Sequence, residues 1–361
     1  MTTSINDNQL LTTYGWNDGW EATMNGERYA GLLPARVTAQ YSHCYRIVMA
    51  EGERIAEVTG KFEFEAVLRS QFPAVGDWVA VQPLQGEPKA VIHAVLPRRS
   101  AMIRRAAGSV PVEQVVGANM DYLFIVNALN DDFNLRKLER YLVAAWESGA
   151  APVVLLTKAD LCEDAPSRVA TVESIAPGVA VHAVSAMNDQ GKEALEAYLQ
   201  RGRTIAVIGS SGVGKSTLLN WLSGDDLQRV QGIREDDARG RHTTTHRELF
   251  PLPSGAVMID TPGMRELQLW DADEGWQEAF ADIEALAAAC RFRDCRHEQE
   301  SGCVVKQAIA EGTLDAKRFA SYKKTGKELA HMARKEQSVS QRLKKSSNKR
   351  AASKGGRYRL E

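Results

Sequence analysis

The sequence lacks any run of about 18 apolar residues, so no segment reads as a membrane-spanning helix. It lacks an apolar core behind the first methionine as well. Met1 to Gln9 is polar, which speaks against a secretory leader and for a cytoplasmic, membrane-free protein. Cysteine is scarce, at 5 in 361 residues, and the spacing suggests no set of disulfide pairs. Aromatics reach only 7%, and formal net charge is −1. What remains is an ordinary globular composition, 44% hydrophobic and 25% charged, which excludes a chain disordered throughout. At about 150 residues per domain the length suggests two or three domains.

The near-zero charge hides an asymmetry. Between Arg334 and Glu361 there are ten lysines and arginines against Glu336 and Glu361, a local +8 on a body of −9. A basic tail on an acidic body suits a polyanionic partner such as RNA, although a merely solvated tail would look the same. The cysteines are equally uneven. Cys290, Cys295 and Cys303 crowd beside His297, while Cys44 and Cys162 stand alone and read as small core fillers.

Residues 1–32 read as a loose extension that partly docks. Short apolar alternations follow at Ala35–Ala39, Tyr45–Met49, Arg54–Val58, Asp77–Val81 and Ala90–Val95, broken by glycines. Five short strands in residues 33–100 predict a small barrel of the oligonucleotide/oligosaccharide-binding (OB) type. After a connector over Ala101–Asn119 the pattern becomes α/β. Strands are expected at Tyr122–Asn127, Val153–Leu156, Val179–Val184, Thr204–Ile208 and Val257–Asp260. Leu138, Tyr141, Leu142, Ala145 and Trp146 have helical spacing closed by Gly149. The expected organisation is thus a barrel, an α/β unit over 112–270, a helical, cysteine-bearing unit over 271–335 and a basic tail over 336–361.

The sharpest motif is Gly209-Ser210-Ser211-Gly212-Val213-Gly214-Lys215-Ser216, followed by Thr217, between an apolar strand and a helix. Its glycines let backbone N–H groups and the helix N-terminus face phosphate oxygens. Lys215 supplies charge to the β/γ-phosphates, and the Ser216 hydroxyl is placed to ligate Mg²⁺. Asp260-Thr261-Pro262-Gly263 closes a later strand, where Asp260 suits Mg²⁺ through water and the Gly263 amide suits the γ-phosphate. Between them lies Gly240-Arg241-His242-Thr243-Thr244-Thr245-His246. Any of the three threonines could join the Mg²⁺ shell when triphosphate is bound, and the middle one, Thr244, is carried forward.

Guanine is selected in one class of these NTPases by an [Asn/Thr]-Lys-x-Asp motif whose carboxylate accepts from N1–H and N2–H₂. Here Thr157-Lys158-Ala159-Asp160 follows one strand, and Ser185-Ala186 ends the next. Both precede the phosphate loop instead of following it. A site built from loops at one sheet edge survives such a circular permutation. In this order the chain resembles the circularly permuted, ribosome small-subunit-dependent GTPase A family (RsgA, also called YjeQ or EngC), over roughly residues 33–335. The resemblance implies GTP hydrolysis stimulated by the small ribosomal subunit, GTP/GDP and small-subunit rRNA as partners, and a late maturation or checkpoint role. A monomer is expected.

Cys290-x₄-Cys295-x-His297-x₅-Cys303 offers three thiolates and an imidazole, a closed set for structural Zn²⁺, and it looks like the zinc motif of the same family. In Ras-like enzymes a glutamine after the Asp-x-x-Gly glycine orients the attacking water. Met264 stands there and does no acid–base work, so the site reads as incomplete alone. His242 is the nearest replacement, and the family pattern Gly-Arg-His-Thr-Thr places a histidine there. Two other readings stay open at this point. One is an RNA-binding scaffold using GTP only as a conformational latch, and the other is an ATPase with a chance base motif, against which Asp160 speaks.

Overall fold

A computed structural model of the chain describes residues 9–105, 113–224, 247–260 and 272–334. The five expected barrel strands are all present: β1 (Leu33–Gln40), β2 (Tyr45–Met49), β3 (Gly52–Val58), β4 (Trp78–Pro83) and β5 (Lys89–Val95). They close in the order β1-β2-β3-β5-β4 and back to β1, with only β3 and β5 parallel. Closure leaves no free edge within the barrel, and Val37, Ile47, Val79 and Ile92 fill its interior with no exposed surface. At its exit Arg98 grips the buried Asp77 with two bonds, 2.8 Å and 2.7 Å, while Asp77 also accepts the Ala74 N–H.

The N-terminal segment is better ordered than its polarity suggests. Helices α1 (Gln9–Thr13) and α2 (Asp18–Met24) deliver Trp16 and Trp20 against Trp78, and both rings are buried. Asn17 caps α2, its side chain accepting from Gly19 and Trp20 N–H. The expected partial docking is present, and residues 9–32 are more ordered than a loose extension, because two indoles bury enough apolar area to offset the cost of ordering them. The connector also differs from expectation. Ala101–Arg105 (β6) and Glu113–Ala118 (β7) pair as an antiparallel hairpin.

Beyond the hairpin come β8 (Tyr122–Ala128), α4 (Leu135–Glu147), β9 (Ala151–Thr157), α5 (Ala165–Ile175), β10 (Ala180–Ala183), β11 (Thr204–Gly209), α6 (Lys215–Ser223), β12 (Glu248–Pro251) and β13 (Val257–Asp260); a short helix α3 (Gly60–Glu65) lies earlier, in the barrel. The sheet runs β10-β9-β8-β11-β13-β12, parallel except for β12. β12 was not expected from the sequence. Its other side pairs with barrel strand β1 at Ala39↔Glu248, so barrel and α/β sheet share one continuous ladder. Arg36, 1% exposed, crosses the same junction. It stacks on Trp78, donates to Asn119 O and Thr204 Oγ1, and is drawn down to a pKa of about 10 by burial.

Helices Asp273–Ala279, Ala281–Ala288 and Val304–Ala310, with a helical run over 316–334, follow the sheet. The Asp273–Ala279 helix and the 316–334 run lie along α4, whose Arg136, Glu139, Arg140, Val143 and Glu147 form one stripe by helical spacing. Arg140 and Glu328 make a two-bonded pair at 2.6 Å and 3.0 Å, and Glu147 accepts the Gly275 N–H. Gly275 packs so tightly on the Val143 carbonyl that a Cβ there would collide with it. Arg318, 3% exposed, bridges the buried Glu139 and Asp282. Breaking a buried pair from one side strands the other charge, so Arg318→Ala is expected to cost about 3 kcal/mol, read as a lowered urea midpoint. A midpoint unchanged by this substitution would show that Arg136, also bonded to Glu139, carries the pairing alone.

Candidate nucleotide and metal sites

Parallel strands send their following loops to one sheet edge, and four of the sequence motifs begin there. The levels match: Gly209 lies beside Val126, and Thr157 beside Ala128. The phosphate loop leaves β11 at Gly209 (φ 152°), where a Cβ would run into the Val126 carbonyl, and enters α6 through Gly214 (φ 92°). Only glycine takes these left-handed angles without strain. Lys215, the first residue of α6, donates from Nζ to Gly209 O at 2.7 Å and Ser210 O at 2.5 Å, so its ammonium lies folded across the loop. Val213 is buried beneath the loop, whereas Ser211, Gly212, Ser216 and Thr217 are exposed at its mouth.

The base motif braces this loop directly. Thr157 ends β9, is buried, and donates from Oγ1 to Val213 O at 2.6 Å. Lys158 takes a left-handed φ of 58° and turns the chain so that Ala159 N–H bonds Val184 O. Asp160 Oδ1 accepts from Ser185 Oγ at 2.5 Å, and the Asn188 N–H in turn reaches Ser185 Oγ. The fully buried Ser185 thus ties the carboxylate to the Ser185-Ala186 loop while Asp160 itself stays exposed. Asp260 ends β13, half-buried and level with Glu248 of β12. His242, Thr244 and Gly263 lie outside the described residues, as do Met264 and the basic tail.

The structure adds a contact that the sequence concealed. Tyr141 of α4 has helical core spacing, yet its hydroxyl lies 3.4 Å from Ser210 Oγ in the phosphate loop. Likewise Trp221 Nε1, on α6, donates to Asp189 Oδ1 at 2.6 Å and joins the far end of that helix to the loop after Ser185. Neither residue type carries a sequence signal for such a role; only the crossing of strands in space places it.

In the C-terminal region, the Cys290, Cys295 and Cys303 sulfurs and a His297 ring nitrogen lie within 4.8 Å of one another. Three of the six edges are 3.9 Å for Cys290–Cys303, 3.6 Å for Cys290–His297 and 3.4 Å for His297–Cys303, and those to Cys295 lie within the 4.8 Å span. A tetrahedral ion with bonds of about 2.3 Å to sulfur and about 2.0 Å to nitrogen implies edges of about 3.8 Å and 3.5 Å. The cluster therefore fits a metal such as zinc in both donor set and size.

A model of the RsgA GTPase family matches residues 95–270. The small ribosomal subunit biogenesis GTPase RsgA of Opitutus terrae is 46% identical over 335 residues, covering 90% of this chain and 91% of that one. The RsgA 2 protein of Lactiplantibacillus plantarum is 44% identical over 321 residues, with 89% and 90% covered. The chain belongs to the RsgA GTPase family. The crystal structure of YjeQ from Thermotoga maritima aligns with a TM-score of 0.62 at 26% identity, over 83% of this chain and 99% of that one. YloQ, described as a circularly permuted GTPase, shares the fold at a TM-score of 0.59 and 23% identity, covering 85% and 98%. In this RsgA GTPase the segments Thr157–Asp160, Ser185-Ala186 and Gly209–Thr217 follow parallel strands at one sheet edge, in permuted order. In this RsgA chain, Thr157→Val preserves the shape and removes the donor to Val213 O, together with the longer 3.4 Å contact to Asn127 O. GDP affinity is expected to fall about three- to tenfold, the net worth of one buried hydrogen bond, as read by titration of a fluorescent GDP. An unchanged affinity would show that the loop holds its shape without this brace.

Proposed function

We propose that this GTPase acts on the small ribosomal subunit late in its maturation, that the subunit stimulates its GTP hydrolysis, and that the scaffold reading is secondary. The carrying observation is the convergence of Thr157, Asp160, Ser185 and the Gly209–Ser216 loop at one sheet edge. Asp160 would accept from both guanine N–H donors, with Ser185 holding its other face, and the Ala186 amide would donate to the guanine O6. Adenine offers no such donor pair, which disfavours the ATPase reading. The N–H groups of Ser211 to Thr217 would face the phosphates, and Lys215 would exchange its present carbonyl partners for phosphate oxygens. Ser216 and Thr244, with Asp260 through water, would hold Mg²⁺, which would supply positive charge against the charge developing on the phosphates. The Gly263 amide would hold the γ-phosphate.

Met264 cannot orient water, so that task falls to His242, brought into place on the subunit. We further read the barrel as an OB barrel contacting rRNA and the tail after residue 335 as a phosphate-binding arm. On this division the barrel spans 33–100, the GTPase unit 112–270 and the zinc-binding unit 271–335, in a cytoplasmic monomer. The test is steady-state GTP turnover with and without small subunits, for wild type and His242→Ala. Turnover is expected to be slow alone and strongly stimulated, and His242→Ala is expected to lose stimulation at unchanged GTP affinity. A wild type already fast without subunits would overturn the incomplete-site reading, and stimulation surviving His242→Ala would remove that residue's role.

The Cys290, Cys295, His297 and Cys303 set is proposed to hold one structural Zn²⁺, since four protein ligands leave no open position for a reacting water. Metal analysis is expected to give one zinc per chain, and strong chelation is expected to open residues 273–334 to protease. A metal-free chain with this region still resistant would overturn the assignment.

A further inference from the structure

Four residues from four adjacent strands form a lateral row across the junction of barrel and α/β sheet. Arg46 of β2 is opposite Ala39 of β1, Ala39 is opposite Glu248 of β12, and Glu248 is opposite Asp260 of β13. Directly opposed residues in antiparallel pairs present side chains to the same face. A bulge in β1 between Val37 and Ala39 sets this register, as bulges re-aim the side chains that follow them. Ala39 is fully buried and short, so the long Arg46 side chain passes over it and reaches Glu248, Nη1 to Oε1 at 3.8 Å. The same guanidinium also donates to Tyr41 OH at 2.6 Å, which fixes its direction.

The row ends on two carboxylates. Glu248 and Asp260 stand opposite one another with Cβ atoms about 5 Å apart, a spacing at which like charges repel. Arg46 is the cation the barrel supplies to this pair. Glu248 lies two positions after His246, the end of the Gly240–His246 motif, and Asp260 opens the Asp-Thr-Pro-Gly motif. One ion pair therefore connects the barrel to the strands that carry both motifs.

We propose that Arg46 is a positioning residue for the nucleotide site, acting through Glu248 on Asp260, and that it sets how strongly the site holds Mg²⁺. The proposal rests on the reading of Asp260 as the carboxylate on the Mg²⁺ side. The Arg46 guanidinium sets one positive charge against Glu248, beside Asp260. With Arg46 removed, that one charge is lost and the potential at the metal position becomes more negative. Arg46 keeps 29% of its side chain exposed, so an anionic partner docking on the barrel reaches the same guanidinium. Drawing it off Glu248 has the same electrical effect as deleting it.

The test is an Mg²⁺ titration of the retention of a fluorescent, non-hydrolysable GTP analogue by the full chain, with thermal melts alongside to confirm folding. Arg46→Ala is expected to lower the Mg²⁺ concentration for half-maximal retention about fivefold, the effect of one charge some 10 Å from a divalent ion. Arg46→Lys is expected to keep the wild-type value, and Glu248→Gln to raise it. The double variant Arg46→Ala/Glu248→Gln is expected to return near wild type. A requirement unchanged within twofold in Arg46→Ala, or raised as a merely loosened strand would raise it, overturns the proposal. A fall that persists in the double variant overturns it equally, because Glu248 would then not be the intermediary. Retention by the wild type that is independent of Mg²⁺ would overturn the Asp260 reading itself, a distinct result from failure of the row.

Discussion

The hydrogen bond from Thr157 Oγ1 to Val213 O, at 2.6 Å, is the constraint on which the nucleotide site depends. It joins the strand that ends in the base motif to the loop that would cradle phosphate, although 56 residues separate the two in sequence. Strands β8, β9 and β11 must lie at matching levels for the bond to form, and the register gives that level. The hydroxyl is buried between them, away from water, with Asn127 O at 3.4 Å as a second acceptor, so the shorter bond to Val213 O carries most of the brace. Chain order is then immaterial to the site. What matters is that both loops hang from neighbouring strands of one sheet.

Two further attachments frame this centre from opposite sides. The barrel enters through β1, which pairs with β12, and through Arg36, whose charge is held by a ring, a carbonyl and a hydroxyl instead of a carboxylate. The C-terminal helices enter through α4, along a stripe of ion pairs and one glycine contact. The opposite side of α4 sets Tyr141 against Ser210. Both attachments thus lie one residue contact away from a nucleotide-facing loop or strand, and neither is a passive surface joint.

The sequence made the centre legible and the joints illegible. Gly209 to Ser216, Thr157 to Asp160 and Ser185 carry chemistry that only certain residue types can perform, so their identity was readable without coordinates. The five barrel strands and the parallel strands showed through apolar alternation and runs. By contrast β12 is four residues of Glu-Leu-Phe-Pro, too short to display a period. The hairpin β6–β7 mixes arginine and glutamine into its strands, which hid it as a connector. Trp16 and Trp20 lie in a polar stretch without periodicity, and residues far along the chain, Trp78 and Arg99, cover them. The Arg46–Ala39–Glu248–Asp260 row required the register of four strands, which no local pattern encodes.

The permuted strand order also bears on how the chain reaches its native state. β8 is the first α/β strand to be synthesised, yet it is central, flanked by β9 and β11. Its pairing with β9 through α4 is local and forms early, while its pairing with β11 closes a loop of some eighty residues and forms late. Until then Leu123, Phe124 and Ile125, none of which keeps any exposed surface in the finished fold, have one open flank. By loop-closure cost alone, the base-recognition half closes before the phosphate half. In a growing polypeptide, affinity for nucleotide would therefore be the last property of the α/β sheet to emerge.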